Sequence, residues 1–218
     1  MNASQTTRRL EMDPKIEWLG HDSFRLRGEK TVYVDPWKIE HAPHDADIVL
    51  ITHDHFDHFV VEDIDRVRRA DTVVVGPEQL AGKLEGNLQI VKRGETLTVL
   101  GVPLQVVPAY NLRADRQNFH PDQYGGVGYI VTLNGKRIYH TGDTDPLPEM
   151  KNIQCDILLV PVSGTYVCTA EEAVQIVQLV KPALAIPMHW DTIVGSWQDA
   201  NDFKQHAGVP VEILGKTS

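Results

Sequence analysis

His53, His55, Asp57 and His58 place four metal-binding side chains within six residues. Imidazole nitrogen and carboxylate oxygen are zinc's usual ligands when thiolates are absent, at about 2.0–2.2 Å. On an extended turn, residues i and i+2 point the same way. His53 and His55 can therefore grip one ion, while Asp57 and His58 turn away from that pair and reach a second. The alternative is a polar turn of solvated histidines, and it is disfavoured. The run leaves an apolar segment, Ile48-Val49-Leu50-Ile51, where protonated imidazoles would repel and the nearby charges are acids.

The elements that must position these groups are legible as hydrophobic patterns. Ile16–Leu19, Phe24–Leu26 and Thr31–Val34 read as a three-stranded meander with turns at Gly20-His21-Asp22 and Gly28-Glu29-Lys30. Ile48–Ile51 reads as a strand buried on both faces. A helix is expected over Glu62–Ala70, a strand over Thr72–Val75, a helix over Pro77–Leu84, and two or three strands over Gln89–Val107. Ala109 to Gly126 is a long polar loop, and loops of that length in compact domains are usually functional. Asn134-Gly135 marks a hairpin between Val127–Leu133 and Arg137–Tyr139. Strands follow at Ile157–Val160, Leu184–Ile186 and Val211–Leu214, with helices after the capping box Thr169-x-x-Glu172 and over Trp197–Ala207. Polar candidates follow apolar strands in turn: His53, Asn111, His140 to Asp143, Ser163 and His189. Residues gathered at strand ends meet along one edge of a sheet, where open α/β folds place their sites.

The chain has 218 residues and 42% hydrophobic content, in the range of one ordinary α/β domain. Residues 1–13 read as a flexible tail, and 14–218 as the domain. Arg8-Arg9 is followed by Leu10-Glu11-Met12-Asp13-Pro14, which is no export segment. No apolar run approaches the ~18 residues of a membrane span, and a cytoplasmic protein is expected. Cys155 and Cys168 form no CxxC pair, so reduced thiols are expected rather than a thiolate zinc site. With 21 basic and 30 acidic residues, the net charge of −9 disfavours a nucleic-acid groove.

His53-x-His55-x-Asp57-His58 resembles the signature of the metallo-β-lactamase superfamily. Gly20-His21-Asp22-Ser23-Phe24, Val34-Asp35-Pro36, Gly142-Asp143-Thr144 and Pro187-Met188-His189-Trp190 resemble, in order, segments of its small metal-dependent hydrolase branch, which is similar to the ascorbate-6-phosphate lactonases. The match runs from about residue 15 to 214. The resemblance implies an αββα sandwich, a single α/β domain, with one or two metal ions at the sheet edges. It implies that His53 and His55 bind the first ion, that Asp57, His58 and His189 bind the second, and that Asp143 bridges them. Asp57 and His58 are the catalytic candidates. Two ions about 3.5–4 Å apart hold a hydroxide, lower its pKa toward 7 and polarise a carbonyl or phosphoryl oxygen.

The sequence departs from the family at one ligand. A third histidine for the first ion is usual in the loop after Val102–Val107, where this chain has Pro108-Ala109-Tyr110-Asn111. An amide oxygen is a poor zinc donor and suits manganese or iron better. His120, nine residues on, has the reach to complete the site. The favoured expectation is His120 as the ligand. Asn111 ligation and a weak first site remain open. The expected cofactor is one or two Zn²⁺ ions, with Mn²⁺, Fe²⁺ or Ni²⁺ as alternatives.

Other residues receive lesser roles. Asp35 and Asp54 are candidates to accept the outer N–H of metal-binding imidazoles, and His21 and His140 to sit behind the site. Ser163, Tyr166 and Cys168 are candidates for the substrate-pocket lining, against ordinary loop residues, and Trp190 and Trp197 for an apolar pocket wall or the core. His41, His44 and His206 read as surface residues. The expected activity is hydrolysis of a small ester-like substrate, a lactone or phosphodiester, by a metal-bound hydroxide. The alternatives are a nuclease or RNA-processing hydrolase of the same fold, or a metal-stabilised binding protein without catalysis. His55 stands where a di-iron redox member would carry an acid.

Overall fold

A computed structural model describes residues 13–217. The expected tail therefore lies, but for Asp13, outside the described residues, as does the Arg8-Arg9 segment. Two six-stranded sheets face each other. The first runs in order through β1 (Lys15–Gly20), β2 (Ser23–Arg27), β3 (Thr31–Val34), β4 (Ala46–Leu50), β5 (Arg68–Gly76) and β6 (Leu88–Ile90). The second runs from β7 (Thr96–Val99) through β8 (Val102–Pro108), β9 (Val127–Leu133), β10 (Lys136–His140) and β11 (Ile157–Pro161) to β12 (Leu184–Met188). Each sheet opens with antiparallel hairpins and turns parallel from its third or fourth strand: β3–β4–β5–β6 in one and β10–β11–β12 in the other.

The period-2 pattern of the strands explains the layers. Ile48 and Leu50 of β4 join Val73 and Val75 of β5 in the core between the sheets. Their alternates, Val49, Ile51 and Val74, face outward and pack with Ile64 and Val67 of α1 (Val61–Val67). The helices α2 (Ala170–Val180) and α3 (Trp197–His206) cover the second sheet, with Ala173, Ile176, Val177 and Phe203 buried beneath them. The result is the αββα sandwich. Thr169 and Glu172 form the capping box that starts α2. Among the described residues, no helix is long and apolar enough to cross a membrane.

Three elements differ from the expected ones. The helix at Glu62 ends at Val67, because Arg68 already pairs with Ala46 as the first residue of β5. Pro77–Leu84 gives only the 3-10 turn Glu78–Leu80. Val211–Leu214 is not a strand but a single bridge from Val211 to Ala185 on the outer edge of β12, held by the Ala185 N–H to Pro210 carbonyl and Glu212 N–H to Ala185 carbonyl hydrogen bonds.

Candidate metal centre

Both sheets end their parallel strands along one edge, and the chemistry-bearing residues leave from those ends. His53 to His58 follow β4, Asp143 follows β10, His189 follows β12, and the β1–β2 turn adds His21 and Asp22. The backbone is forced at several of these exits. His21, Asp35 and His189 adopt φ values of 53°, 45° and 56°, a left-handed region costly for residues with a Cβ. The His189 N–H donates to the His21 carbonyl at 3.0 Å, so the two strained exits hold each other.

One cluster consists of His53, His55 and His120. His53 Nε2 and His120 Nε2 lie 3.0 and 3.2 Å from His55 Nδ1. His120 arrives by the long loop, which closes on itself through the Asn111 N–H to His120 carbonyl bond of 2.8 Å. Asn111 Oδ1 also accepts from His120 Nδ1 at 2.9 Å, while its Nδ2 donates to Asp145 Oδ1 at 3.2 Å. Asp145 in turn accepts from Arg116 at 2.6 Å. The amide therefore faces the back of His120, and the His120 Nε2 lone pair faces the cluster.

A second cluster adjoins the first. Asp143 Oδ2 lies 3.2 Å from His120 Nε2, 3.5 Å from His58 Nε2 and 3.4 Å from His189 Nε2, so it faces both groups. The outer ring nitrogens are fixed. His58 Nδ1 donates to Asp35 Oδ2 at 2.8 Å, and His189 Nδ1 meets Ser163 Oγ at 2.8 Å. Thr52 Oγ1 donates to Asp35 at 2.6 Å, which leaves it to accept from His53 Nδ1 at 3.0 Å. Asp57 Oδ2 lies 3.2 Å from His21 Nε2, and Asp57 Oδ1 is 3.9 Å from His58 Nε2.

These buried atoms fit a cation. Among the described residues, His58 Nε2, His189 Nε2, Asp143 Oδ1 and both Asp22 carboxylate oxygens are buried without a hydrogen-bond partner. Buried polar groups left unpaired cost several kcal/mol, and a divalent ion would satisfy lone pairs that otherwise face each other. The protonation equilibria show the same concentration of charge. Burial alone would raise Asp143, but the His58, His189 and His120 imidazoles hold it well below the carboxylate range. Burial opposes protonation of His189, yet Asp143 and Asp22 push it up to about 9. His58 is likewise raised against its burial by Asp143 and Asp35. His120, desolvated and beside other imidazoles, falls to about 4 despite Asp143. Desolvation takes His53 well below its ordinary value.

The clusters floor a pocket of about 300 Å³ lined by Phe56, Phe119, Tyr166 and Ile193 around Asp57 and His55. Asp54 does not back a histidine: its partners are Lys83 and Tyr124. His140 sits behind the site, with Nε2 donating to the Asp22 carbonyl at 2.9 Å and Nδ1 accepting the Gly142 N–H. Cys168 is buried and Cys155 partly so, both as free thiols. Trp190 stacks on Trp18 in the core, and Trp197 is exposed. His41, His44 and His206 are exposed. Sequence reasoning passed over two groups, Asp22 and Thr52. Asp22 carried one signal, an acid beside a histidine in a turn between strands. Thr52 carried none.

The β-lactamase superfamily domain matches residues 15–189, and the chain belongs to that family. Among its relatives, a UPF0173 metal-dependent hydrolase of Methanoculleus marisnigri is 32% identical, across 88% of this chain and 87% of its own. One from Archaeoglobus fulgidus is 30% identical, across 92% and 94%. A crystal structure from Parabacteroides distasonis superposes with a TM-score of 0.80 at 31% identity, covering 94% of each chain. Igni18, a metallo hydrolase of Ignicoccus hospitalis, shares the fold at a TM-score of 0.78 and 23% identity, across 94% of this chain and 96% of its own.

Proposed function

We propose that this metal-dependent hydrolase opens a small lactone or neutral carboxylic ester, through two ions held at the shared edge of its sheets. The observation that carries the reading is the convergence of two buried ligand sets on Asp143 at the floor of one pocket. His53, His55 and His120 would hold the first ion. Asp57, His58 and His189 would hold the second, with Asp143 between them. Zinc suits the imidazole-rich first set. When bound, the ions supply Lewis acidity and a nucleophile at neutral pH.

The chain's own residues do the rest. Asp35, Thr52, Ser163 and Asn111 fix the imidazole rings by their outer nitrogens, so that the inner nitrogens would face an ion. Asp57 borders the open pocket. Burial would raise it, but the hydrogen bond from His21 and the charge of His58 lower it. It is thus an anionic acceptor for a proton of the attacking water. Phe56, Phe119, Tyr166 and Ile193 present an apolar rim, and among the described residues no lysine or arginine lines the pocket. That lining suits an uncharged, partly apolar ester better than a phosphodiester, and with the net charge of −9 it also disfavours nucleic acid. The reading places the enzyme in the cytoplasm, acting on a metabolite-sized substrate.

The test is a panel of lactones, carboxylic esters and phosphodiesters offered to metal-replete protein, with rates followed against acyl-chain length. Lactone or ester turnover that rises with apolar chain length is expected. Preferential phosphodiester cleavage would move the substrate class, and no turnover of any of the three would point to the binding-protein alternative.

A further inference from the structure

Asp22 is the most deeply buried acid of the region that no hydrogen bond explains. It is 0% exposed, and among the described residues neither carboxylate oxygen has a hydrogen-bond partner. Its position is nonetheless built. It lies in the tight β1–β2 turn, where the Trp18 indole donates to the His21 carbonyl at 2.8 Å and His140 donates to the Asp22 carbonyl at 2.9 Å. The carboxylate thus has little freedom to seek water.

What it faces is the second ligand set. Asp22 Oδ2 lies 3.5 Å from His58 Nε2 and 3.8 Å from His189 Nε2. Those are the same two nitrogens that Asp143 Oδ2 faces at 3.5 and 3.4 Å. Adjacent donors sharing one ion at about 2.0–2.2 Å stand roughly 2.8–3.6 Å apart in octahedral or tetrahedral arrangements. The two aspartates therefore stand in nearly equal relation to the pair of imidazoles. At 3.5 and 3.8 Å, neither Asp22 contact is a hydrogen bond among the described residues. Asp57, by contrast, is already engaged by His21 and lies farther from His58, at 3.9 Å. It also borders the open pocket, which Asp22 does not.

We propose that Asp22 is an inner-sphere ligand of the second ion, supplied from the buried side, and that it shifts this site toward a hard cation such as Mn²⁺ or Fe²⁺. The proposal rests on the metal-centre reading above. It adds a carboxylate that the family signature at residues 53–58 does not contain. With Asp22, Asp57 and Asp143 around two imidazoles, the second site is oxygen-rich. The first has three imidazoles and only the shared Asp143. Oxygen donors favour harder ions, and imidazole suits zinc. Two adjacent sites of one chain would then differ in metal preference.

The experiment uses full-length, untagged protein stripped of metal and titrated separately with Zn²⁺ and Mn²⁺, with bound metal counted and affinities measured by calorimetry. The wild type is expected to take up two ions. Asp22→Ala and the near-isosteric Asp22→Asn should keep the first ion and weaken the second. For Mn²⁺ the loss in Asp22→Ala should exceed the ~10–100-fold typical of removing an outer hydrogen-bonding partner, and it should be about tenfold larger than for Zn²⁺. Melting of the metal-free variants at or above the wild-type temperature would show that the loss is not a folding defect, because an unpartnered buried carboxylate has been removed. Unchanged second-site affinity, or equal losses for the two metals, would overturn the assignment of Asp22 while leaving the two-ion centre intact. A wild type that takes up neither metal would instead overturn the centre itself.

Discussion

On the proposed two-ion reading, Asn111 and His120 would divide between them the role of one ligand of the first ion. The amide oxygen is spent on His120 Nδ1 and the amide nitrogen on Asp145. Asn111 is thereby a positioning residue, and His120 presents the lone pair. His120→Ala should remove the first ion even at saturating zinc, with a rate loss on the order of 10³-fold or more. Asn111→Ala should keep two ions at saturation while weakening zinc by roughly 10–100-fold. Metal counts and zinc titrations on the two variants, side by side, decide it. If Asn111→Ala loses the ion and His120→Ala retains it, the division of roles is reversed. At Asp57 the expectation concerns rate. Asp57→Ala should lower kcat by about 10³-fold or more, with little change in the melting of the metal-free protein. Near-normal turnover would remove this carboxylate from catalysis.

Legibility at this scale followed contiguity. The group His53–His58 could be read because its members adjoin in the chain, and their outward alternation follows from the backbone. His120 could be weighed only as a matter of reach. Its return depends on the Asn111–His120 backbone bond that closes the loop. Asp22 was overlooked because its partners, His58 and His189, lie 36 and 167 positions away in the sequence, and nothing local marks a carboxylate as unpartnered.

The elements place these residues through a few tight contacts. Gly142, in the turn that delivers Asp143, has a φ of 64°, and a Cβ there would stand 2.7 Å from the Val127 carbonyl oxygen. Neither the conformation nor the approach tolerates a side chain without a shift of the loop. Gly142→Ala should therefore cost about 2 kcal/mol of stability. It should also weaken both ions together, since Asp143 faces both sets. Thermal melting and a metal count check this. Loss of one ion with the other untouched would show that Asp143 serves a single site. The strands were the most legible elements, because buried strands declare themselves as apolar runs. Edges were less so. The Glu62 helix stopped early where β5 began to pair with β4, and Val211–Leu214 formed one bridge. Both outcomes depend on neighbours distant in sequence rather than on the segment's own pattern.

For the whole molecule, the metal centre amounts to a set of protons waiting to be displaced. In the metal-free protein His189 is raised to about 9, and His58 is also raised, against their burial, by the surrounding carboxylates. A histidine whose folded pKa lies above its unfolded value of about 6.5 binds its proton more tightly when folded. Its stabilisation is complete below about pH 6.5 and is lost as the pH climbs through about 9. His21 and His120 behave oppositely. Burial, against the pull of Asp57 and Asp143 respectively, depresses them to about 4. Their contribution is present above about pH 6.5 and is lost as the pH falls toward 4. The histidine contributions to metal-free stability should therefore decline on both sides of about pH 6.5. Metal changes the balance because a ligand nitrogen must be unprotonated. The first set, whose imidazoles burial lowers below their ordinary value, is already neutral at pH 7, so its affinity should change little between about pH 8 and 6.5. The second set must release protons from His58 and His189, so its affinity should rise steadily from pH 6.5 to 9. The stabilisation conferred by metal grows with ligand concentration over Kd. The gap in Tm between metal-loaded and stripped protein should accordingly widen as the pH rises from 6.5 to 9. Melting curves at fixed free zinc across that range, paired with titrations that resolve the two ions, test both halves of the argument. Two affinities with parallel pH profiles would show that the carboxylates do not hold protons on His58 and His189.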